Sequence, residues 1–564
     1  MSEPKSVARV LFSRTAISVL FLSLPAFTLP LAAQHKVLPL VAQAQEGQNA
    51  DSPKPETHIT PEQAKKLFGM VDELLKFSSD ETGYAIKSTV KRKLTTRDAV
   101  EAYVRDKFNE DQDAKRMQRS EIVLKKFGML DRDFDLKPFL LELLKEQIEA
   151  YYDPKTKTVN MLDWVSPDEQ RPVLAHELTH ALQDQHVDLD KWGDQTPEDP
   201  STTASGDIDH LAKDEMDTAR EAVLEGQATA VMMDNILKPM GRSLIKDPEV
   251  VEYIKQQMTG TANSPVMARA PLLLSESLLF PYREGLSFEQ DVWMDKGQTA
   301  AFAGALDRPP SSSWEIINPR NYEAGRHAPI PLLPNIHPLV DATYTPYDIG
   351  QMGELDVQIL TQVFGGEDAS RDLAPAWDGG LYWAGQLKSA TVAQKATTKS
   401  IALLYLSVWK SPASAQAFAK LYASSLGRIF SGLKPADAKS SSSESGSQGD
   451  NGASNDEEQI FDTDEGPVVI RTRDRMVFVS ESFPLPLAGK LADLIMSAQG
   501  TGELQMASLP FGRNLPQNMP QPANLQPLTE SLVRFMSNCG VMKAAVDAGM
   551  QARKTAGAIT APAN

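Results

Sequence analysis

The stretch Ser166-Pro167-Asp168-Glu169-Gln170-Arg171-Pro172-Val173-Leu174-Ala175-His176-Glu177-Leu178-Thr179-His180-Ala181-Leu182-Gln183-Asp184-Gln185 decides how the rest of the chain is read. Ser166 to Glu169 form a helix start of the capping-box type, with Pro167 suited to the first helical position. The spacing predicts a helix from there, or from Pro172, through about Gln185. Within it lies HExxH. Residues four apart share one helical face, so His176 and His180 can bind one metal ion. Glu177 is placed to act as general base on a metal-bound water. Neutral imidazoles favour Zn²⁺, which lowers the pKa of a bound water and polarises a carbonyl. With 8 His in 564 residues, on the order of 0.01 such matches arise by chance. The flanking Val173, Leu174, Leu178, Ala181 and Leu182 suit a buried helix rather than a solvated one.

A catalytic zinc needs a third protein ligand and an open position. His186 has the spacing of the last ligand in HExxHxxGxxH, where a Gly breaks the helix and swings that His back. Gln183 stands at the Gly position here and favours a continuing helix, which carries residue 186 about 240° round from His180. A capping or supporting role suits His186 better. The competitor is Glu225, in Glu221-Ala222-Val223-Leu224-Glu225-Gly226-Gln227-Ala228-Thr229. Ala222, Gly226 and Ala228 are small enough for this helix to approach the HExxH helix closely. Glu221, one turn away, is the fallback. Asp184 and Asp188 are within reach of orienting an imidazole, although helix-end carboxylates are usually solvated.

Working outward, 41% hydrophobic and 23% charged residues fit a soluble globular chain. Its length suffices for about three or four domains. A net charge of −18 argues against a dedicated nucleic-acid binder and against adhesion to anionic lipid. Cys539 is the sole cysteine, which excludes a disulfide framework and all-thiolate metal sites. Lys5, Arg9 and Arg14 precede an apolar run from Ala16 to Ala33, and Ala42-Gln43-Ala44 follows. That order reads as a secretory signal over 1–44, cleaved rather than kept as an anchor. No later stretch is long and apolar enough to span a membrane, so the expected location is periplasmic or extracellular.

Residues 45–59 read as a linker, and 60–150 as a helical region opened by Thr60-Pro61-Glu62-Gln63. Within it Leu67, Val71, Leu74 and Leu75 share one face, and similar periodicity recurs at 96–109, 118–127 and 136–150. A short strand is expected at 156–162, a loop at 191–209 and a helix at about 210–237. The Pro- and aromatic-rich stretch 265–360 is expected to wrap these helices. A smaller α+β domain follows at 373–498, interrupted by a low-complexity insert at 434–459. A Pro- and Gln-rich linker at 501–526 leads to a C-terminal helix at 527–554.

His176-Glu177-Leu178-Thr179-His180 with Glu225-Gly226 resembles the gluzincin branch of the zinc metallopeptidases, in which the third ligand is a Glu on a second helix. The longer string HELTHALQDQHVDL, residues 176–189, is similar to a group of exported bacterial metallopeptidase-like proteins. The likeness extends over roughly 60–345 and takes in Tyr152-Asp153-Pro154, Phe280-Pro281-Tyr282-Arg283-Glu284-Gly285, Arg308-Pro309-Pro310-Ser311-Ser312 and Pro319-Arg320-Asn321-Tyr322. It implies an α+β fold with a mainly helical, zincin-like catalytic region at 151–360. It also implies zinc on His176, His180 and Glu225, and a strand at 156–162 forming the sheet edge where an extended peptide pairs. An additional electrophile is needed; Tyr282, Tyr322, His327, His337 and Arg283 are the candidates, with no spacing argument that selects one. The expected function is hydrolysis of peptide bonds in a peptide or protein substrate. Two rivals stand beside it: a non-catalytic envelope binding protein on the same scaffold, and a zinc hydrolase of a non-protein amide.

Overall fold

The computed structural model describes residues 58–100, 102, 111–147, 150–192, 197, 199–258, 265–435 and 457–499. The expected signal at 1–44, the linker and helix at 501–554, and most of the insert at 434–459 lie outside them. The chain is α+β, with a helical part around a small sheet and a separate, larger sheet. Among the described residues no helix is long and apolar enough to cross a membrane.

The helical part starts with α1 (Pro61–Thr82), capped by the reciprocal Thr60–Gln63 bonds. Its Leu67, Val71, Leu74 and Leu75 are buried, as their shared face requires. Helices α2 (Asp111–Lys126) and α3 (Leu136–Gln147) follow. Strand β1 (Lys91–Thr95) falls where only helix was expected. Its sequence Lys-Arg-Lys-Leu-Thr carries one apolar residue and no alternation, so its strand state comes from pairing rather than pattern.

The small sheet has the order β1-β3-β2, with β2 at Tyr151–Asp153 and β3 at Thr158–Leu162. β3 runs parallel to β1 and antiparallel to β2. The strand expected at 156–162 is therefore present but central: both of its sides are paired, and β1 and β2 are the edges. The HExxH helix, α4 (Pro167–Val187), lies against this sheet. Ser166 and Glu169 close its capping box, and the helix runs unbroken through Pro172, which sits in its second turn. Every residue from Val173 to Asp184 is buried. α1 packs along α4, and the buried Ser78 hydroxyl donates to Ala175 O at 3.1 Å, one residue before His176.

Helices α5 (Ala204–Lys213), α6 (Met216–Leu237), α7 (Glu249–Gln257) and α8 (Leu272–Lys296) complete this part. One helix was expected over 210–237, after a loop at 191–209. Instead α5 starts at 204 behind the Thr203 N-cap, and the chain breaks at 214–215. Two buried acids account for the break: Asp214 accepts from Gln351 N at 2.7 Å, and Glu215 accepts from Ser313 N at 3.1 Å and Ser313 Oγ at 2.5 Å. These tertiary bonds outweigh the helical propensity of the stretch.

The larger sheet has seven antiparallel strands in the order β4-β5-β6-β10-β9-β8-β7. β4 (Tyr344–Gln351) comes from the stretch expected to wrap the helices; a register shift near Pro346 and Asp348 hides its alternation. α9 (Glu354–Leu373) joins it to β5 (Trp377–Leu387) and β6 (Ile401–Trp409). α10 (Pro412–Ile429), β7 (Lys434–Pro435), β8 (Glu457–Thr463), β9 (Gly466–Arg473), β10 (Met476–Glu481) and α11 (Leu485–Ala498) follow. Both ends of the expected insert are thus strand. Side chains alternate across the sheet. Tyr382, Tyr405 and Trp409 join α10 in a core continuous with the helical part, while Trp383, Leu404 and Leu406 join α11 in a second core.

Lys126 of α2 is fully buried and bonds Glu465 at 2.8 Å and Ser482 Oγ at 2.7 Å, tying the helical part to the sheet. Glu481, also fully buried, accepts from Tyr422 Oη at 2.8 Å. Burial raises Glu481 to about 7, against the Lys126 charge and the Tyr422 bond, which pull it down. Its proton is therefore held more tightly in the folded chain than in the unfolded one, so its contribution to stability is lost as pH rises from about 4.5 towards 7. Urea unfolding at pH 5 and pH 8 should show the wild type losing on the order of 2–3 kcal/mol more than Glu481→Gln.

Candidate metal centre

Helix α4 presents His176, Glu177 and His180, and α6 brings Glu225 against them. His176 Nε2 lies 3.0 Å from Glu225 Oε2 and 3.0 Å from His180 Nε2, and His180 Nε2 lies 3.6 Å from Glu225 Oε1. Exposure is 0% for His176, Glu177 and Glu225 and 3% for His180. Buried His176, His180 and Glu225 lie close enough to bind a metal ion. Two donors on a tetrahedron with bonds of about 2.05 Å sit about 3.3 Å apart; the imidazole nitrogens are 3.0 Å apart, and each has a different Glu225 oxygen beside it, Oε2 by His176 and Oε1 by His180. Glu225 Oε1 is buried and makes no hydrogen bond, which leaves a lone pair for an ion.

Charge coupling inside the cluster is strong. Burial drives the Glu225 carboxyl upward, but the charge of His180 and the hydrogen bond from His176 outweigh it and hold it at about 2. Burial likewise opposes a proton on His180, yet Glu225, Glu177 and the acceptor oxygen of Gln183 raise it to about 9. Both shifts act in the direction of an imidazolium beside a carboxylate.

Glu225 reaches this place because α6 and α8 touch backbone to backbone. A Cβ on Gly226 would lie 2.2 Å from Gly285 O, and one on Gly285 would lie 2.1 Å from Ala222 O. Gly226 was expected to ease the approach to the HExxH helix. It faces α8 instead, because a residue next to Glu225 is turned about 100° away from the donors. Tyr282, one turn before Gly285, stacks over His176 with ring centroids 6.4 Å apart and is fully buried.

The remaining candidates fall elsewhere. His186 bonds Asp307 at 3.0 Å and packs on Tyr84, and α4 continues past it as Gln183 suggested. Asp184 is buried and accepts from Tyr152 Oη, Lys157 and Leu189 N, so it holds β2 rather than an imidazole. Asp188 ends α4 in the left-handed conformation and pairs with Lys191. Tyr322 donates to Arg308 O, His327 meets Glu315, His337 joins Asp207 and Asp341, and Arg283 pairs with Glu276. Of the five candidate electrophiles, Tyr282 is the one stacked on an imidazole of the cluster, that of His176. Glu177 Oε2 accepts from Tyr152 N at 2.7 Å, so the β2 edge fixes the carboxylate.

Sequence reasoning valued Gln183 only as a helix former. Its Oε1 lies 2.7 Å from His180 Nδ1. The available signal was its place one turn beyond a ligand on the same helix.

Comparison with protein-family models, curated proteins and solved structures gives no match. Gly226→Ala should lower stability by on the order of 1–3 kcal/mol, because backbone on both sides cannot yield to a methyl group. It should also weaken metal binding by displacing Glu225, and urea unfolding with metal analysis of the same variant checks both effects.

Proposed function

We propose that this chain is an exported zinc-dependent metallopeptidase with a zincin-like catalytic region. The observation that carries the reading is the convergence of His176, His180 and Glu225 in one buried cluster, with Glu177 alongside at the edge of a sheet. His176 Nε2, His180 Nε2 and a Glu225 oxygen would hold zinc. Two imidazoles and a carboxylate suit that ion and leave a position for water. Bound there, zinc lowers the pKa of a water ligand and polarises a substrate carbonyl. Glu177 takes the proton of the attacking water on its carboxylate and passes it to the departing amine. Tyr152 N holds Glu177 Oε2 in place for that transfer. β2, the strand next to α4, is an edge of its sheet, and its outward Tyr152 N–H is given to Glu177. Export rests on the basic, apolar and small-residue order of residues 1–44.

Complete burial of the donors favours a second reading, in which the metal only ties α4 to α6 and the protein is a non-catalytic binder. The two readings separate on Glu177→Gln. A catalyst should retain one zinc per chain while peptide hydrolysis falls about 10²–10⁴-fold. Unchanged hydrolysis in that variant, or wild type without zinc after reconstitution, overturns the peptidase reading.

The ion pair sets a pH dependence. His180 holds its proton up to about 9 in the metal-free chain, so zinc must displace it at pH 7. Zinc affinity should rise with pH until about 9, with about one proton released per zinc at pH 7. Calorimetry in buffers of different ionisation enthalpy measures that release.

A further inference from the structure

His180 can offer Nε2 to a metal only with its own proton on Nδ1. Nδ1 faces Gln183 at 2.7 Å, and what it meets there depends on which end of the amide is turned towards it. An amide oxygen accepts the Nδ1 proton; an amide nitrogen would force the opposite tautomer.

The surroundings of Gln183 settle the orientation. Its other end lies 3.1 Å from Leu224 O and 2.9 Å from Gln227 Oε1. A backbone carbonyl is always an acceptor, so the NH₂ group must face Leu224 and the oxygen must face His180. Gln227 is oriented in the same way: its far end lies 3.0 Å from both Ala301 O and Phe302 O. Those carbonyls belong to a π-helical turn, Ala300–Gly304, whose i→i+5 pairing departs from that of the regular helix. With its NH₂ committed there, Gln227 turns its oxygen back to accept from Gln183 Nε2 and from Tyr84 Oη at 2.9 Å.

The result is a chain of bonds with one direction, anchored at both amides by backbone carbonyls. Gln183 and Gln227 are fully buried and Tyr84 is 2% exposed, so a reversed amide would leave buried oxygens facing each other. The sequence puts the two amides on the helices that carry the ligands: Gln183 three residues after His180, and Gln227 two residues after Glu225.

We propose that Gln183, Gln227 and Tyr84 are positioning residues that keep the His180 proton on Nδ1 and so direct its Nε2 lone pair to the metal. The proposal rests on the metal reading above and adds the groups that set the affinity of the site. None of the three residues is itself a donor to the ion.

The test uses the full-length chain, Zn²⁺ as the probe and competition with a chromophoric chelator. Gln183→Met removes the acceptor, and zinc affinity should fall about 10–100-fold. Gln183→Glu keeps an oxygen towards His180 and, when protonated, a donor towards Leu224; it should recover most of that loss. In zinc-loaded wild type, the His180 Nδ1–H signal should be visible by ¹⁵N-histidine NMR and exchange slowly with water. Should Gln183→Met fail to fold, Gln227→Leu takes its place, with a smaller loss in the same direction. Equal zinc affinity in wild type and Gln183→Met overturns the relay alone. Equal losses in the Met and Glu variants, matched by equal drops in melting temperature, also overturn it and leave a structural role. Wild type that binds no zinc removes the metal reading, and the relay falls with it.

Discussion

A carboxylate buried against two imidazoles is the interaction on which the rest of this structure depends. Glu225 lies 3.0 Å from His176 Nε2 with no exposure to solvent. An unpaired carboxylate there would be costly, and the two imidazoles, protonated or sharing a metal ion with it, offset that cost. Everything nearby serves to hold those three groups together. α1 and the small sheet enclose α4, the backbone contact at Gly226 and Gly285 brings α6 into place, and Tyr282 covers His176. The site is thus made at helix crossings, and its precision comes from rigid backbone rather than from loops.

The part of this arrangement that follows helical periodicity was legible from residue order. Ser166, Pro167 and Glu169 start α4 where their chemistry says they should, and Gln183 continues it through His186 instead of letting that side chain swing back. Glu225 stood out because an acid in so apolar a helix needs a partner. The parts that were not legible depend on contacts between distant segments. β1 is a basic pentapeptide that becomes a strand through its pairing with β3. The break at 214–215 comes from bonds to Gln351 and Ser313, more than 90 residues away. β3 is no edge because β1 and β2 pair with both of its sides, which no reading of 156–162 alone could reveal.

Glycine and glutamine carried more than their sequence signals suggested. Gly226 was read correctly as a site of close approach, but the partner was α8 rather than α4. Gln183 and Gln227 look like ordinary polar helix residues in the sequence. Only the carbonyls of Leu224, Ala301 and Phe302, placed by tertiary structure, give their amides a direction. The larger sheet contributes no donor to the cluster, yet it shares a continuous core with the helical part and is pinned to it through Lys126.

Zinc-edge X-ray absorption on the reconstituted chain reads whether two imidazoles and the Glu225 carboxylate hold zinc. Binding by these groups gives two histidine nitrogens and oxygen donors at about 2.0–2.2 Å, with one oxygen donor lost or exchanged in Glu225→Ala. A spectrum with three imidazoles, or one unchanged by Glu225→Ala, would contradict it.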